Sequence, residues 1–389
     1  MPPGTPDRRP LIAHVVFRFD VGGLENGVVN LVNGLPDQEF RHAIIALTEV
    51  SSFRDRLRRA SIEVHALGKR PGTDLRAYAR LYRLLRRLRP AAVHTRNYGT
   101  LDCTLVAWLA GVRVRIHGEH GWDVHDPDGT KRKYRLVRRA LNPLIRRFVA
   151  VSRDLERWLT GTVGVPARKV VHICNGVDTD RFAPLALAAA ASLPAERFPA
   201  DALIVGSVTR FETIKDPLNL VRAFIDARRR LGAAGASLRL LMLGDGPLRA
   251  AAQAELEAAG AAAAAWLPGS RDEVAPFLRR MHLYVLGSRR EGISNTVLEA
   301  MASGLPVIAT ATGGNLELVA PGQTGALVPP EDSAALASAI AAYAADPGLR
   351  AAQGRAARER AERDFSLRRM LSDYRDLYRS VCIEAGVTS

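Results

Sequence analysis

Two carboxylates eight positions apart, Glu291 and Glu299, lie in the segment of this sequence that is best suited to chemistry. Glu291 follows an apolar run at 283–286 that is typical of a buried strand, and Glu299 lies within a helix predicted to begin near Asn295. A turn with glycine separates strand from helix, and a helix start offers free N–H groups and the positive end of its dipole. The segment therefore predicts a cradle for a phosphate or sugar phosphate, with a carboxylate on either side to hold hydroxyl groups.

Arg210 and Lys215 place two cations in a loop that follows another apolar run, at 203–208. Two fixed cations can converge on a diphosphate and neutralise the charge that develops on a leaving group. No paired-aspartate motif occurs in a suitable loop, so we expect no metal ion and no other cofactor. An exposed basic loop without function is the alternative interpretation.

Two histidines flank a glutamate in the segment His117-Gly-Glu-His120-Gly, which follows a predicted strand at 112–116. Both histidines are expected in the loop after that strand. Their spacing alone would also suit a metal site, but no third group of ligands is apparent in the sequence. A histidine in such a loop is more often structural than catalytic.

The segment from Glu291 to Glu317 resembles a motif of the retaining glycosyltransferases of family 4. It contains, in this order, Glu-Gly, Glu-Ala, Gly-x-Pro-Val-x-Ala-Thr, Gly-Gly and Glu. The resemblance implies the GT-B architecture, two Rossmann-like domains facing across a cleft, and sugar transfer from a nucleoside-diphosphate sugar. It covers nearly the whole chain, with specific motifs in the C-terminal half and weak ones in the N-terminal half. The segment from His117 to Gly129 also resembles a subgroup found with bacterial exopolysaccharide loci of the exosortase/PEP-CTERM type.

The resemblance also assigns roles to individual residues. The catalytic set that it implies is His120, Glu291, Arg210 and Lys215, with no metal ion. Glu299 is expected to bind the nucleotide ribose, Glu291 to lie by the donor sugar, and His120 to hydrogen-bond that sugar, with His117 as the alternative. Other donor-binding positions are Gly22, Gly23, Asp245, Gly246, Gly292, Ile293, Ser294, Asn295 and Thr296, and further candidates are Ser152 and Ser288. The residues around Arg210 and Lys215 differ from the sequence that is usual in the family at these positions.

Apolar runs of strand length alternate with helical patterns along the chain, which predicts parallel α/β sheets. The alternation stops in an Ala- and Pro-rich stretch and then restarts. We therefore expect a first Rossmann-like, acceptor-binding domain over 1–180, a linker over 181–200, a nucleotide-sugar-binding domain over 201–365, and a C-terminal helix and tail over 366–389 that packs on the first domain. Neither a dinucleotide-binding Gly-x-Gly-x-x-Gly after the first strand nor a P-loop is present.

The charge of the chain is concentrated in its first half. Residues 1–180 hold 31 Lys and Arg against 18 Asp and Glu, a net +13 of the chain's +15. Such asymmetry indicates a polyanionic partner. Three widely spaced cysteines indicate a reducing compartment, and the sequence shows neither a run of 18 apolar residues nor a secretion signal. We therefore expect a cytoplasmic location.

Three basic stretches, at 53–59, 75–89 and 131–148, predict that the first domain docks on the anionic inner face of the plasma membrane. There it would meet a glycan or lipid-diphosphate-linked acceptor, and no specific nucleic acid is expected as a partner. The alternative is that the apolar sides of these helices simply pack on the sheet. Rival functions are a nucleotide-sugar epimerase or phosphorylase of the same fold, a basic nucleic-acid-binding protein, and a non-catalytic relative.

Overall fold

The structure is a computed structural model, and it describes residues 9–123, 126, 128–184 and 189–386. The chain divides into two compact units, one drawn from residues 1–175 and 368–389 and the other from residues 176–367. None of the described helices is both long enough and apolar enough to cross a bilayer.

Parallel strands form the sheet of the first unit. Its strands are β1 (Leu11–Val16), β2 (Arg41–Ala46), β3 (Glu63–Ala66), β4 (Ala92–Arg96), β5 (Val114–Glu119), β6 (Arg147–Ala150) and β7 (Val170–His172). Its helices up to β7 are α1 (Gly23–Gly34), α2 (Leu75–Leu88), α3 (Cys103–Leu109), α4 (Arg132–Leu141) and α5 (Arg153–Arg157). Among the described residues the strand order is β3-β2-β1-β4-β5-β6-β7, as in a doubly wound sheet.

The second unit repeats this plan. Its strands are β8 (Leu203–Val208), β9 (Leu238–Leu243), β10 (Ala265–Gly269), β11 (Leu283–Leu286), β12 (Val307–Thr310) and β13 (Gly325–Val328). Its helices are α6 (Pro217–Arg230), α7 (Arg249–Ala258), α8 (Ala275–Leu278), α9 (Asn295–Ala302), α10 (Asn315–Leu318), α11 (Ser333–Ala345) and α12 (Pro347–Asp364). The order β10-β9-β8-β11-β12-β13, in the part of this unit that the structure describes, confirms the prediction of two parallel α/β sheets.

The last helix, α13 (Leu367–Glu384), belongs almost entirely to the first unit, as the sequence predicted. The phenol of Tyr378 lies 2.9 Å from Nδ1 of His94 on β4. Near the surface, Arg375 and Arg379 both pair with the carboxylate of Glu39. A buried tyrosine and an exposed double ion pair therefore fix the end of the chain to the first sheet.

The apolar side of α2 packs in the core of the first unit, which agrees with the alternative that these helices pack on the sheet. Leu81, Leu84 and Leu85 are buried against the sheet together with residues of α3. The helix begins at an N-cap, Asp74, whose carboxylate accepts hydrogen bonds from two backbone N–H groups of the first turn. Arg83, Arg86 and Arg87 lie on the exposed side of α2, whereas Arg80 donates to the carbonyl of Leu67 after β3 at 2.8 Å.

One prediction of local structure in the first unit was wrong. The strand expected at 112–116 runs from Val114 to Glu119, which moves the first of the two histidines into the sheet. The predicted linker lies partly outside the described residues, which resume at 189.

Candidate functional site

The loops after β8 and β11 lie against each other where the strand order of the second sheet reverses. The N–H group of Arg289 donates to the carbonyl of Ile214 at 2.9 Å, and its Nε donates to the Asp216 carboxylate at 3.2 Å. Ligands of doubly wound sheets bind at this edge, beyond the carboxyl ends of the strands. The first of the two predicted carboxylates, Glu291, is in the second of these loops.

Glu291 is a buried and fully compensated carboxylate, only 4% exposed. Its Oε1 accepts hydrogen bonds from the Ser288 hydroxyl and from the Lys215 ammonium, each at 2.6 Å. A buried charge is tolerated when it is both paired and hydrogen-bonded, and removing one partner is strongly destabilising. The structure therefore brings together Ser288, Lys215 and Glu291, three residues that the sequence analysis had singled out separately.

Arg210 does not join this cluster. Its side chain is 64% exposed and pairs at 2.7 Å with Glu212 of its own loop, whereas Lys215 pairs with Glu291. In the described part of the chain, the two cations therefore share no common partner, and their convergence on a diphosphate stays a prediction. Exposed ion pairs are worth about 1 kcal/mol or less, so an anion can readily draw Arg210 away from Glu212.

Glu299 lies on α9, which begins at Asn295 as predicted. The hydroxyl of Ser294 caps this helix by accepting the Val297 N–H at 3.3 Å. The Glu299 side chain is partly buried, and within the ranges that the structure describes its carboxyl group makes no hydrogen bond. Burial raises its pKa to about 7, against an opposing effect of the Arg181 charge. Glu299 is thus a carboxyl group with unused hydrogen-bonding capacity.

Tyr284 of β11 is a buried polar residue that the sequence analysis missed. It is completely buried, and its hydroxyl donates to the carbonyl of Val208 at 3.1 Å. Burial raises the pKa of this phenol, and the charges of Glu299 and Glu291 act in the same direction. In sequence, Tyr284 is one residue of an apolar strand, and nothing in its neighbours marks it.

Two glycines after β12 hold the backbone of the Glu291 loop. Gly313 has φ +50°, and a Cβ at this position would lie 1.8 Å from the carbonyl oxygen of Glu291. A Cβ at Gly314 would lie 2.3 Å from the carbonyl oxygen of Gly292. Only glycine permits so close a backbone approach, so these residues fix the loop that carries Glu291.

The other predicted residues of the second unit lie at the same edge of the sheet. Gly292 and Ile293 continue the Glu291 loop, and Ser294, Asn295 and Thr296 form the start of α9. Asp245 and Gly246 follow β9, the neighbour of β8, and the Gly246 N–H donates to the Asp245 carboxylate at 2.8 Å.

In the first unit, the rings of the two candidate histidines differ in their hydrogen bonds. His117 is inside β5 and buried, with Nδ1 2.8 Å from the Thr95 hydroxyl and Nε2 3.3 Å from Glu119. His120 follows the strand, and its Nε2 is buried without a hydrogen-bond partner among the described residues. Burial lowers the pKa of His120 to about 3, and the Arg96 charge acts in the same direction. His120 is therefore neutral at neutral pH, and its Nε2 packs beside Gly118.

The residue between the histidines, Glu119, anchors the end of β5. Arg138 of α4 donates to it through Nε at 2.6 Å and through Nη2 at 3.1 Å, and its guanidinium also lies over the rings of Tyr98 and Trp158. Burial by itself would raise the pKa of Glu119, but Arg138 and His117 outweigh it and lower the pKa to about 2. This ion pair holds the chain immediately before His120.

A buried cluster of histidines lies beside this strand end and was also missed. Arg96 donates through Nη2 to Nδ1 of His14 at 3.1 Å, and Nε2 of His14 lies 3.0 Å from Nδ1 of His42. A guanidinium can only donate, so His14 must carry its proton on Nε2 and pass the hydrogen bond on to His42. Burial lowers the pKa of His42 to about 3 and those of His14 and His94 well below the usual value.

The remaining candidates of the first unit are at the starts of helices. Gly22 is the N-cap of α1 and Gly23 its first residue, at the edge where β1 and β4 adjoin. Ser152 is the N-cap of α5, where its hydroxyl accepts the Leu155 N–H at 3.3 Å. Across the described ranges, no three His, Cys, Asp or Glu side chains are grouped closely enough to hold a metal ion.

Comparison with known proteins identifies the family. Residues 21–181 match the model of glycosyltransferase family 4, and residues 201–346 match that of the glycosyl transferases of group 1. Each unit thus carries a glycosyltransferase family domain, and the two matches together cover most of the chain. A solved structure of Anabaena Alr3699/HepE in complex with UDP-glucose superposes with a TM-score of 0.80 at 18% identity, covering 96% of this chain and 100% of that one. This similarity confirms the fold.

Two curated relatives show the range of the family. The lipopolysaccharide core biosynthesis mannosyltransferase LpcC of Rhizobium leguminosarum bv. viciae is 39% identical over 33% of this chain and 37% of its own length. The D-inositol 3-phosphate glycosyltransferase of Saccharomonospora viridis is 34% identical over 53% of this chain and 49% of its own length. The chain thus spans half or less of the length of these relatives.

Proposed function

We propose that this protein is a retaining glycosyltransferase that moves a sugar from a nucleoside-diphosphate sugar to a glycan or lipid-linked acceptor. Its place would be bacterial exopolysaccharide or cell-surface polysaccharide synthesis, an assignment supported by family membership and by the name of LpcC. The observation that carries the proposal is the pairing of a compensated Glu291 with an uncompensated Glu299 at the strand-order reversal of the second unit.

Each group of the second unit has a distinct task in this proposal. Glu299 accepts hydrogen bonds from the ribose hydroxyls, because its carboxyl group makes no hydrogen bond among the described residues. Lys215 lies at the diphosphate and stabilises the negative charge that develops on the leaving nucleotide. Arg210 leaves its weak pair with Glu212 and adds a second positive charge. These cations carry the charge neutralisation without a metal ion.

Glu291 and His120 act on the sugar. Glu291 is held in one orientation by Ser288 and Lys215, and it accepts a hydrogen bond from a sugar hydroxyl. His120 is neutral, so it can offer one ring nitrogen to another hydroxyl without adding charge beside the glycosidic carbon. Displacement on the front face of the sugar retains the configuration and requires no nucleophile from the protein.

A sugar-binding screen followed by a transfer assay tests this function. UDP, GDP, ADP and CMP sugars are screened by thermal shift, and one of them should raise the melting temperature. Transfer from that donor should give a product with the donor's anomeric configuration, and Glu291→Gln should slow turnover while donor affinity changes little. An epimerised nucleotide sugar, or sugar-1-phosphate formed from phosphate and a glycan, would instead favour the alternative enzymes of this fold.

We further propose that the first unit docks on an anionic membrane face, where a lipid-diphosphate acceptor is available. The exposed side of α2 carries Arg83, Arg86 and Arg87. On the adjacent α3, Trp108 is 49% exposed and Leu109 58% exposed, which the sequence analysis did not anticipate. Arginines around exposed apolar side chains suit a membrane surface, with about 1 kcal/mol from each basic residue near anionic lipid.

Liposome sedimentation tests the docking. Binding should be stronger to vesicles of phosphatidylcholine with phosphatidylglycerol than to phosphatidylcholine alone, and salt should weaken it because charge is screened over about 10 Å at 0.1 M. Trp108→Ser should weaken binding, whereas Arg229→Ser, which removes an exposed arginine of the second unit, should not. Equal sedimentation with both kinds of vesicle at low salt would refute the docking, and binding to duplex DNA or RNA would favour a nucleic-acid partner.

A further inference from the structure

Asn97, the first residue after β4, has a backbone conformation that only glycine adopts readily. Its φ is 57° and its ψ is 170°. A side chain in this region is strained, and such residues persist where the surrounding structure holds them, often at functional sites. Asn97 lies at the edge of the first sheet where the strand order reverses, between β1 and β5.

Two short hydrogen bonds hold Asn97 to the strand end that carries His120. Its backbone N–H donates to the carbonyl of Gly118 at 2.7 Å, and its side-chain Oδ1 accepts the backbone N–H of His120 at 2.7 Å. The first bond extends the β4–β5 ladder by one step. The second turns the chain of His120 toward Asn97, so the two bonds hold the chain on either side of Glu119.

The side-chain oxygen of Asn97 makes a hydrogen bond that the turn after β4 does not require. The turn after β4 uses only backbone groups of Asn97, whose carbonyl accepts the Thr100 N–H at 3.2 Å. Glycine would support that turn without strain. The amide oxygen that glycine lacks is the group that fixes the His120 backbone, and this distinguishes a positioning role from a purely structural one.

We propose that Asn97 is a positioning residue that fixes His120 for its contact with the donor sugar. The inference depends on the proposed function, in which His120 binds that sugar. The Nε2 atom of His120 is buried without a hydrogen-bond partner in the described part of the chain, so its direction is determined by the backbone to which the ring is attached. Asn97 and the ion-paired Glu119 determine that backbone together.

Three variants separate the contributions of backbone and side chain. Asn97→Gly keeps the turn and relieves the strain but removes the acceptor, whereas Asn97→Asp keeps an acceptor oxygen in the same place. His120→Ala removes the ring itself. Nucleoside diphosphate release is measured with the donor, among UDP-glucose, UDP-N-acetylglucosamine, GDP-mannose and ADP-glucose, that the wild type uses fastest.

Asn97→Gly should lower kcat/KM about tenfold without lowering the melting temperature, and Asn97→Asp should restore most of the activity. Because Asn97 acts through His120, the double variant Asn97→Gly/His120→Ala should be no slower than His120→Ala alone. Independent, multiplicative losses would overturn the inference. Hydrogen exchange gives a second readout that needs no substrate: the His120 amide should lose protection in Asn97→Gly and keep it in Asn97→Asp, and unchanged protection would also overturn the inference.

The same variants distinguish this inference from the function on which it depends. If His120→Ala lowers activity and Asn97→Gly does not, the role of Asn97 is wrong and the proposed function stands. If His120→Ala retains full activity, the role assigned to His120 in the proposed function is wrong, and the inference fails with it.

Discussion

Replacing Glu299 with glutamine should make the second unit more stable and the donor site weaker. Burial raises the pKa of this carboxyl group from 4.5 to about 7, so the folded protein favours the neutral form. Glutamine has the same shape and no charge at any pH. The variant therefore removes the cost of holding a carboxylate in a partly buried place where it makes no hydrogen bond within the described ranges.

The sign and size of the effect follow from the pKa. A raised pKa contributes stability that is fully present below pH 4.5 and is lost as the pH rises through about 7. One pKa unit corresponds to about 1.4 kcal/mol, so the charged carboxylate costs about 2 to 3 kcal/mol at pH 8 and less than about 1 kcal/mol at pH 5. Glu299→Gln should recover this difference at pH 8 and little of it at pH 5.

Urea unfolding at pH 5 and pH 8 measures this difference. Because two compact units need not unfold together, unfolding is followed by hydrogen exchange on peptides of residues 176–367. Glu359→Gln, at an exposed position on α12, is the matched control and should change stability by less than about 0.5 kcal/mol at either pH. A gain in Glu299→Gln that is equal at both pH values, or absent at pH 8, would refute the reasoning.

The same substitution, Glu299→Gln, should weaken donor binding although it stabilises the fold. A ribose hydroxyl donating to a carboxylate makes a charge-assisted bond of about 1.5–3 kcal/mol, so Glu299→Gln should weaken donor affinity about tenfold or more. Wild-type affinity should fall as the pH drops from 8 to 5.5, because protonation removes the better acceptor, and the variant should lack this pH dependence. A stabilised variant with unchanged donor affinity would mean that Glu299 is structural.

Two further predictions concern the other charged groups. Lys215→Ala should lower turnover about tenfold or more, because it removes a cation and leaves the buried Glu291 without its charged partner. EDTA should not slow the wild type, and loss of activity with EDTA that Mg²⁺ or Mn²⁺ restores would contradict the metal-free assignment. Acid should destabilise the first unit, because the pKa of His42 is lowered to about 3 and those of His14 and His94 well below 6.5, so stability present above pH 6.5 is lost as the pH falls. Each ring contributes at most about 1.4 kcal/mol per pH unit. Melting temperatures between pH 7.5 and 5 should fall less steeply in His42→Gln, and an unchanged slope would show that this ring is not responsible.

The sequence was sufficient to predict where the candidate site residues of the second unit lie in the fold. Strand and helix periodicity predicted the turn before Glu291 and the start of α9, and both follow from backbone preferences that act over a few residues. The positions of Glu291 and Glu299 relative to the sheet follow directly. What each carboxylate contacts does not follow, because the pairing of Lys215 with Glu291 joins residues 76 positions apart.

Other features depend on tertiary contacts that the sequence does not show. The spacing of Arg210 and Lys215 does not reveal that each pairs with a different carboxylate. His117 was placed in a loop because the predicted strand ended too early, and element ends are decided by tertiary hydrogen bonds such as the one from Thr95. The role of Asn97 could not be predicted from the sequence, because its hydrogen bond with the His120 N–H depends on how β4 and β5 pair.

The buried histidines did leave a signal in the sequence. One histidine interrupts each of the apolar runs of β1, β2 and β4, namely His14, His42 and His94. His14 and His94 are direct neighbours in the sheet register. Three isolated imidazoles in three buried strands require polar partners, and that requirement alone predicts a polar interior in the first unit. The partners themselves, Arg96 and Tyr378, could not be predicted, because Tyr378 reaches the cluster from the far end of the chain.

The two units hold their buried polar groups differently. In the first unit, Glu119 is held by Arg138 and His14 by Arg96, although Nε2 of His42 and Nε2 of His94 make no hydrogen bond among the described residues. Burial lowers the pKa of His120 to about 3, so this ring is neutral at neutral pH. In the second unit the Glu299 carboxyl group makes no hydrogen bond among the described residues, and burial makes its charged form costly. A ligand that donates hydrogen bonds would stabilise this carboxylate, so we expect relief of that cost to contribute to donor binding.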